Sequence, residues 1–243
     1  MKKLVGAICL ILTLLLAAPC ALAEGEDEGD GQETQEQEAQ EQETQETETE
    51  ETTAEVPFEA DIAGTWYHDA AVAAYRNGWM DGVGDGADES RFNGNDAVSR
   101  GEAVDAIWRM MGSPVSNVRI GYSDMDAYNP YRSAIDWAGE SKVATGVGDG
   151  RFGWQDPVTR EQLALMLYRC ARMNGMGFSG TWMLLLETED RTEVHDWAYE
   201  AVCWLYINKV MRGSGGYYLP AGHTTRAELA TVLVRFYALT EAE

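Results

Sequence analysis

The sequence predicts a mostly α protein: three helix–loop–helix repeats folded into one pseudo-threefold domain, preceded by a disordered acidic segment. Three observations carry that prediction. A four-residue pattern, hydroxyl-Arg-x-Glu/Gln, occurs three times, as Ser99-Arg100-Gly101-Glu102, Thr159-Arg160-Glu161-Gln162 and Thr225-Arg226-Ala227-Glu228. The segments Trp66–Gly82, Pro130–Gly146 and Trp197–Gly213 ahead of the three arginines align with one another without a gap. Finally, one helix pair of this length cannot bury a sizeable core alone, whereas three together can.

The chain begins with Lys2 and Lys3, an apolar run from Leu4 to Ala18 and an Ala21-Leu22-Ala23 site, the pattern of a secretory signal peptide over 1–23. The run is short for a membrane span, and polar sequence follows at once, so no transmembrane segment is expected in the mature chain. Residues 24–57 are Glu, Gln and Thr with almost nothing apolar. They cannot bury enough surface to offset their conformational entropy, and a disordered linker is expected. The whole chain carries a formal charge of −23. Without leader and linker, residues 61–243 hold 25 acids against 16 Lys and Arg, an acidic balance that argues against nucleic acid as a ligand.

The repeats are expected over 58–112, 122–173 and 187–240. In each first helix, small and aliphatic residues fall at spacings of three and four: Ala70, Ala71 and Ala74, then Ala134, Ile135 and Ala138, then Ala201, Val202 and Leu205. Each second helix repeats a core stripe: Val104, Ile107 and Met111, then Ala164, Leu167 and Ala171, then Ala230, Leu233 and Tyr237. Between the helices lie Gly-rich loops, Val83-Gly84-Asp85-Gly86 and Val147-Gly148-Asp149-Gly150, with a degraded third version at Ser214-Gly215-Gly216. An aromatic, Phe92, Phe152 or Tyr218, stands eight residues before each arginine.

The hydroxyls and the Glu or Gln of the pattern form capping boxes. Ser99, Thr159 and Thr225 take the backbone N–H at N3, while Glu102, Gln162 and Glu228 reach back to the N-cap N–H. Arginine at the first helical position fits this role poorly, because the helix dipole disfavours a cation there by roughly 0.3–1 kcal/mol. A cation kept three times at that position points to a further task, either a ligand or an ion pair with a neighbouring repeat.

Three tandem units of this kind, with an aromatic-Ala/Tyr-x-x-Ala-hydrophobic helix, a Gly-x-Gly-Asp-Gly-like loop and Thr-Arg-Ala-Glu, resemble S-layer homology domains. The resemblance implies a cell-surface location at the bacterial cell wall and non-covalent binding to secondary cell-wall polysaccharide, a peptidoglycan-associated glycan carrying pyruvate ketals. It implies a three-pronged assembly whose first helices form a central bundle, with ligand grooves between neighbouring repeats. It implies that Arg100, Arg160 and Arg226 pair with the ligand carboxylate, that Gly84, Asp85, Gly148 and Asp149 shape the groove, and that Trp66 and Trp197 offer aromatic walls. A helix N-terminus with free N–H groups beside a guanidinium fork is consistent with an anion site. On that reading, arginine changes cost binding and leave stability nearly intact.

The copies differ. Gln162 replaces the usual Glu, Pro130 stands where the others have Trp66 and Trp197, with Tyr131 as its substitute, and the third loop lacks the aspartate; the three grooves are therefore expected to be unequal. Asp124 marks the start of the second repeat, whereas Asp61 and Asp190 sit less regularly. For the tryptophans, core packing is the competing role; for the Gly-Asp loops, it is a plain turn.

Other chemistries find little support. Asp81–Gly86 begins like a calcium loop, but Val83 and Phe92 occupy positions that need oxygen ligands. His68, His195 and His223 lack metal-ligand spacing, so no metal site and no cofactor is predicted. No nucleophile or zinc-protease motif occurs, and the length leaves no room for a separate catalytic domain, so the reading is not an enzyme. Cys170 and Cys203, on apolar helical stretches, can be paired or free. The rival function is a structural, self-assembling surface-layer component, or one that binds another surface protein.

Overall fold

The computed structural model describes residues 55–84, 89–180 and 184–242. The expected signal peptide and nearly all of the expected acidic linker lie outside the described residues. Packing begins at Val56 and Phe58, both buried, just ahead of the short helix α1 (Glu59–Ile62). Three helix pairs follow: α2 (His68–Arg76) and α3 (Arg100–Met110), α4 (Arg132–Glu140) and α5 (Arg160–Met173), α6 (Asp196–Ile207) and α7 (Arg226–Glu241). The described residues hold isolated β-bridges but no named strand.

All three second helices start in complete capping boxes. Ser99 Oγ accepts from Glu102 N at 3.2 Å, Thr159 Oγ1 from Gln162 N at 3.3 Å and Thr225 Oγ1 from Glu228 N at 3.2 Å, each with the reciprocal bond. The first helices end alike. Gly78, Lys142 and Lys209 adopt φ of +70°, +64° and +59°, a left-handed C-terminal turn that glycine takes at least cost.

Pairing between repeats closes a ring. Helix α3 packs on α4, α5 on α6, and α7 on α2, so the second helix of each repeat rests against the first helix of the next. The stripes read from the sequence supply these contacts: Ala71, Ala74, Ala134, Ile135, Ala138, Ala201, Val202 and Leu205 face Val104, Ile107, Ala164, Leu167, Ala171, Ala230 and Leu233 in one buried core. One implied detail changes. The helices that meet at the centre are the second ones, with α3 touching both α5 and α7, while the first helices lie outside them. The small-residue stripe therefore serves packing onto a second helix, not a shared axis of first helices.

At the centre, the residues just before the caps form a closed triangle of backbone hydrogen bonds. Val98 N donates to Thr224 O at 2.9 Å, Thr224 N to Val158 O at 3.0 Å, and Val158 N to Val98 O at 2.9 Å. All three residues are fully buried. In the long connection before α6, Leu186 is buried and its N–H donates to Tyr199 Oη at 3.2 Å, while the neighbouring Leu185 is exposed. Cys170 and Cys203 are free and buried, and burial pushes the Cys170 thiol up to about 12.

Candidate functional site: three arginine-lined grooves

The repeated arginines answer the question that their position raises. Each guanidinium lies over the aromatic of the next repeat around the ring, with Cζ 5.0 Å from the Phe152 centroid for Arg100, 5.3 Å from Tyr218 for Arg160 and 4.9 Å from Phe92 for Arg226. Each Nε donates to the carbonyl of that same aromatic: Phe152 O at 3.2 Å, Tyr218 O at 2.9 Å and Phe92 O at 2.8 Å. Each Nη2 reaches the loop carbonyl just before the conserved-in-register glycine: Thr145 O at 3.0 Å, Arg212 O at 2.7 Å and Asp81 O at 2.6 Å. The arginines clasp one repeat to the next.

The third contact of each clasp falls on the neighbour's capping box. Arg160 Nη1 lies 2.9 Å from Glu228 Oε1, while Glu228 Oε2 holds its own N-cap N–H; two oxygens serve two tasks. Gln162 has one oxygen for both, and it accepts from Arg100 Nη1 at 3.2 Å and Thr159 N at 3.3 Å. Arg226 Nη1 stays 3.9 Å from Glu102. With the three residues only 5 %, 8 % and 9 % exposed, these are buried cations, and burial lowers the pKa of Arg100 and Arg226.

The helix N-termini are likewise occupied. Arg100 N and Gly101 N donate to Asp156 O and Trp154 O, Arg160 N and Glu161 N to Gly222 O and Pro220 O, Arg226 N and Ala227 N to Asp96 O and Gly94 O. With N3 taken by the hydroxyl cap, no free cluster of N–H groups remains to act as an anion site. The expectation built on free N–H groups is overturned, because neighbouring loops supply the carbonyls.

A second repeated device fixes the aromatic loops. Asp61 Oδ2 accepts from Phe92 N and Asn93 N, Asp124 from Phe152 N at 2.8 Å and Gly153 N at 2.7 Å, Asp190 from Tyr218 N at 2.8 Å and Leu219 N at 2.6 Å. Burial alone would raise the Asp124 and Asp190 carboxyls, but the backbone N–H donors outweigh it and hold both below the usual range. The irregular sequence positions of Asp61 and Asp190 hid this shared role. The aligned glycines Gly82, Gly146 and Gly213 are required here too: a Cβ would overlap the carbonyl oxygen of Glu89, Arg151 and Tyr217 respectively.

Three grooves open beside the clasps, and each draws on all three repeats. The Arg160 groove, about 380 Å³, has walls from Arg212, Leu219 and the Glu228–Arg235 face of α7, with Trp66 from the first repeat. The Arg100 groove, about 400 Å³, has walls from Thr145, Gly146 and the Gln162–Arg169 face of α5, with Trp197 from the third. The Arg226 groove, about 220 Å³, is bounded by Asp81, Gly82, Glu102, Asp105, Arg109 and Tyr131. Trp66 and Trp197, 69 % and 49 % exposed, are rim residues and not core, and Trp197 stacks on His195 at 5.6 Å.

Gly84, Gly148 and Asp149 of the Gly-Asp loops line none of these grooves, although Val83 and Val147 do. Gly148 and Asp149, at φ of +118° and +51°, form an exposed turn closed by Arg151 N donating to Gly148 O at 2.9 Å. Gly84 is also exposed and lines none of the three, and Asp85 lies outside the described residues. A second arginine, nine residues after each clasp, went unnoticed in the sequence although it repeats without exception: Arg109, Arg169 and Arg235 each line a groove. Among the described residues no group of His, Cys, Asp and Glu could hold a metal ion, and no helix is long and apolar enough to cross a membrane.

A closed ring of three helix–loop–helix repeats, clasped by arginine and cut by three grooves, is a repeat-built helical module. The S-layer homology domain family matches residues 60–104, 121–164 and 188–230, together more than half of the chain, and the chain belongs to that family. Domains of this family generally anchor proteins to the cell wall. The chain is also similar to an endoglucanase of Bacillus sp. (strain KSM-635), 27 % identical over 151 residues, which cover 61 % of this chain and 16 % of that enzyme. The match thus spans about a sixth of the relative's length.

Proposed function

We propose that this chain is a non-enzymatic anchor, exported and held at the bacterial cell wall by a carboxylate-bearing secondary polysaccharide lying in its inter-repeat grooves. The observation that carries the reading is the grooves' composition: arginines line each of them, and two have an exposed tryptophan at the rim. A guanidinium suits a carboxylate through paired N–H donors, and an indole face suits the apolar face of a sugar ring. The wall-anchoring habit of the family supports the location, and the Lys2-to-Ala23 leader supports export. The similarity to an endoglucanase covers too little of that enzyme to carry its activity here.

The clasp arginines line the grooves but spend most of their donors on the neighbouring repeat. In this reading they position the groove walls and offer one remaining edge to the ligand. The test is sedimentation of the purified chain with cell-wall sacculi before and after the secondary polymer is stripped. Binding that is lost on stripping is expected; equal binding to stripped sacculi rejects the polysaccharide reading.

A further inference from the structure

The three grooves share one architecture but not one charge. The position before the aligned glycine is Asp81 in the Arg226 groove, Thr145 in the Arg100 groove and Arg212 in the Arg160 groove. On the second helix that walls each groove, the position five residues after that helix's own first arginine is Asp105, Leu165 and Thr231 in the same order. In the Arg226 groove both aspartates turn onto the second arginine: Arg109 Nη1 meets Asp81 Oδ2 at 2.7 Å and Arg109 Nε meets Asp105 Oδ2 at 2.8 Å. Among the described residues Arg169 donates to the Val143 carbonyl at 3.3 Å and has no acidic partner, and Arg235 has none either.

We infer that anions enter two of the three grooves, held by Arg169 in one and by Arg235 with Arg212 in the other, while Asp81 and Asp105 close the third. The inference rests on the proposed glycan reading and adds which grooves take the acidic group and through which side chains. Among lining residues, the Arg100 groove holds two arginines and no acid, and the Arg160 groove three arginines and Glu228. The Arg226 groove holds two arginines against Asp81, Glu102 and Asp105. Clefts lined by one sign of charge concentrate ions of the opposite sign, whereas an arginine already paired twice must give up equal partners to gain a new one.

Independent features fall on the same side. The two open grooves are the larger, about 380 and 400 Å³ against 220 Å³, and they alone carry Trp66 and Trp197. Burial lowers the pKa of Arg169, and burial with repulsion from Arg212 lowers that of Arg235. For Arg109 burial pulls the same way, but Asp105 and Asp81 outweigh it and raise its pKa.

The experiment is arginine side-chain NMR on the full chain, titrated with sodium D-glucuronate as the simplest carboxylate sugar. The Nε–H signals of Arg169 and Arg235 are expected to shift and saturate, and that of Arg109 to stay still. Asp81→Thr with Asp105→Thr, which installs the residue of Thr145 and Thr231, is expected to bring Arg109 among the responders. Equal shifts at all three arginines, no shift at any, or a silent Arg109 in that double variant overturn the inference. Sacculus binding is scored separately. Arg169→Gln with Arg235→Gln is expected to lower wall affinity about ten-fold or more. Glucuronate shifts without wall binding sustain the inference and reject the wall reading; wall binding untouched by this arginine pair overturns the inference and leaves the wall reading standing.

Discussion

At the axis the three repeats set Val98, Val158 and Thr224 into one closed hydrogen-bond triangle, whereas at the groove rims the same repeats set Asp81, Thr145 and Arg212 at equivalent positions. The axis keeps its threefold because every group there is buried and every bond is shared with the next repeat. Where such a bond comes from a side chain, as at the clasp arginines, a change in one repeat strands acceptors in another, at roughly 1–3 kcal/mol for each buried group left without a partner. Rim side chains end in solvent, so they can diverge at little cost to folding. The clasp arginines belong to the axis by this criterion, and the arginines nine residues later belong to the rim.

The sharpest way to break that division is Arg160→Met against Arg235→Gln. The first strands Glu228 and the carbonyls of Tyr218 and Arg212, and should cost about 3–5 kcal/mol. At about 2–4 °C per kcal/mol the melting temperature should fall clearly. The second should stay within about 0.5 kcal/mol. This replaces the expectation from sequence that clasp arginines can be removed without loss of stability. If Arg160→Met melts like the parent, the clasp is not structural.

Next in size is Asp190→Ala, which removes the acceptor for Tyr218 N and Leu219 N and should cost about 2–4 kcal/mol in urea unfolding. The same bonds set a pH dependence. Asp124 and Asp190 have folded pKa values below the unfolded value of about 3.9, so their stabilisation is whole above that value. It is lost as pH falls through the folded pKa. The urea midpoint should drop below about pH 4, and the drop should be shallower in Asp190→Ala.

A smaller change would complete the axis. Thr224 is buried with Oγ1 lacking a hydrogen-bond partner among the described residues, where the other repeats carry Val98 and Val158. Thr224→Val should stabilise by about 1 kcal/mol, read as a rise in the urea midpoint; a loss would mean that the hydroxyl has a role. Smallest is Gln162→Glu, which supplies the second oxygen that Glu228 uses in its own clasp. It should add about 0.5 kcal/mol to stability and weaken the glucuronate response of Arg169, thereby separating axis from rim in one side chain.

Much of this was legible in the residues. Periodicity marked the helices, and Ser/Thr-Arg-x-Glu/Gln marked their starts, since capping is settled within four residues. The rim tryptophans and the unequal copies were visible as well. Three features were not. Asp61, Asp124 and Asp190 share one task across about 30 residues of chain, where loops of different length destroy the register. The clasp role of the arginines was hidden because a guanidinium has the same fork for a carboxylate as for two carbonyls. Gly148 and Asp149 looked like groove residues but form an outlying turn.

The sequence by itself determined three helix pairs, their caps, their buried stripes and their membership of one repeating plan, because each of those depends on neighbours within a few residues. Only the tertiary structure decided which repeat each arginine holds, which helices meet at the centre and which grooves keep an unpaired cation. Those depend on where loop carbonyls and aspartates from other repeats come to rest, and ring closure alone brings them within hydrogen-bond reach.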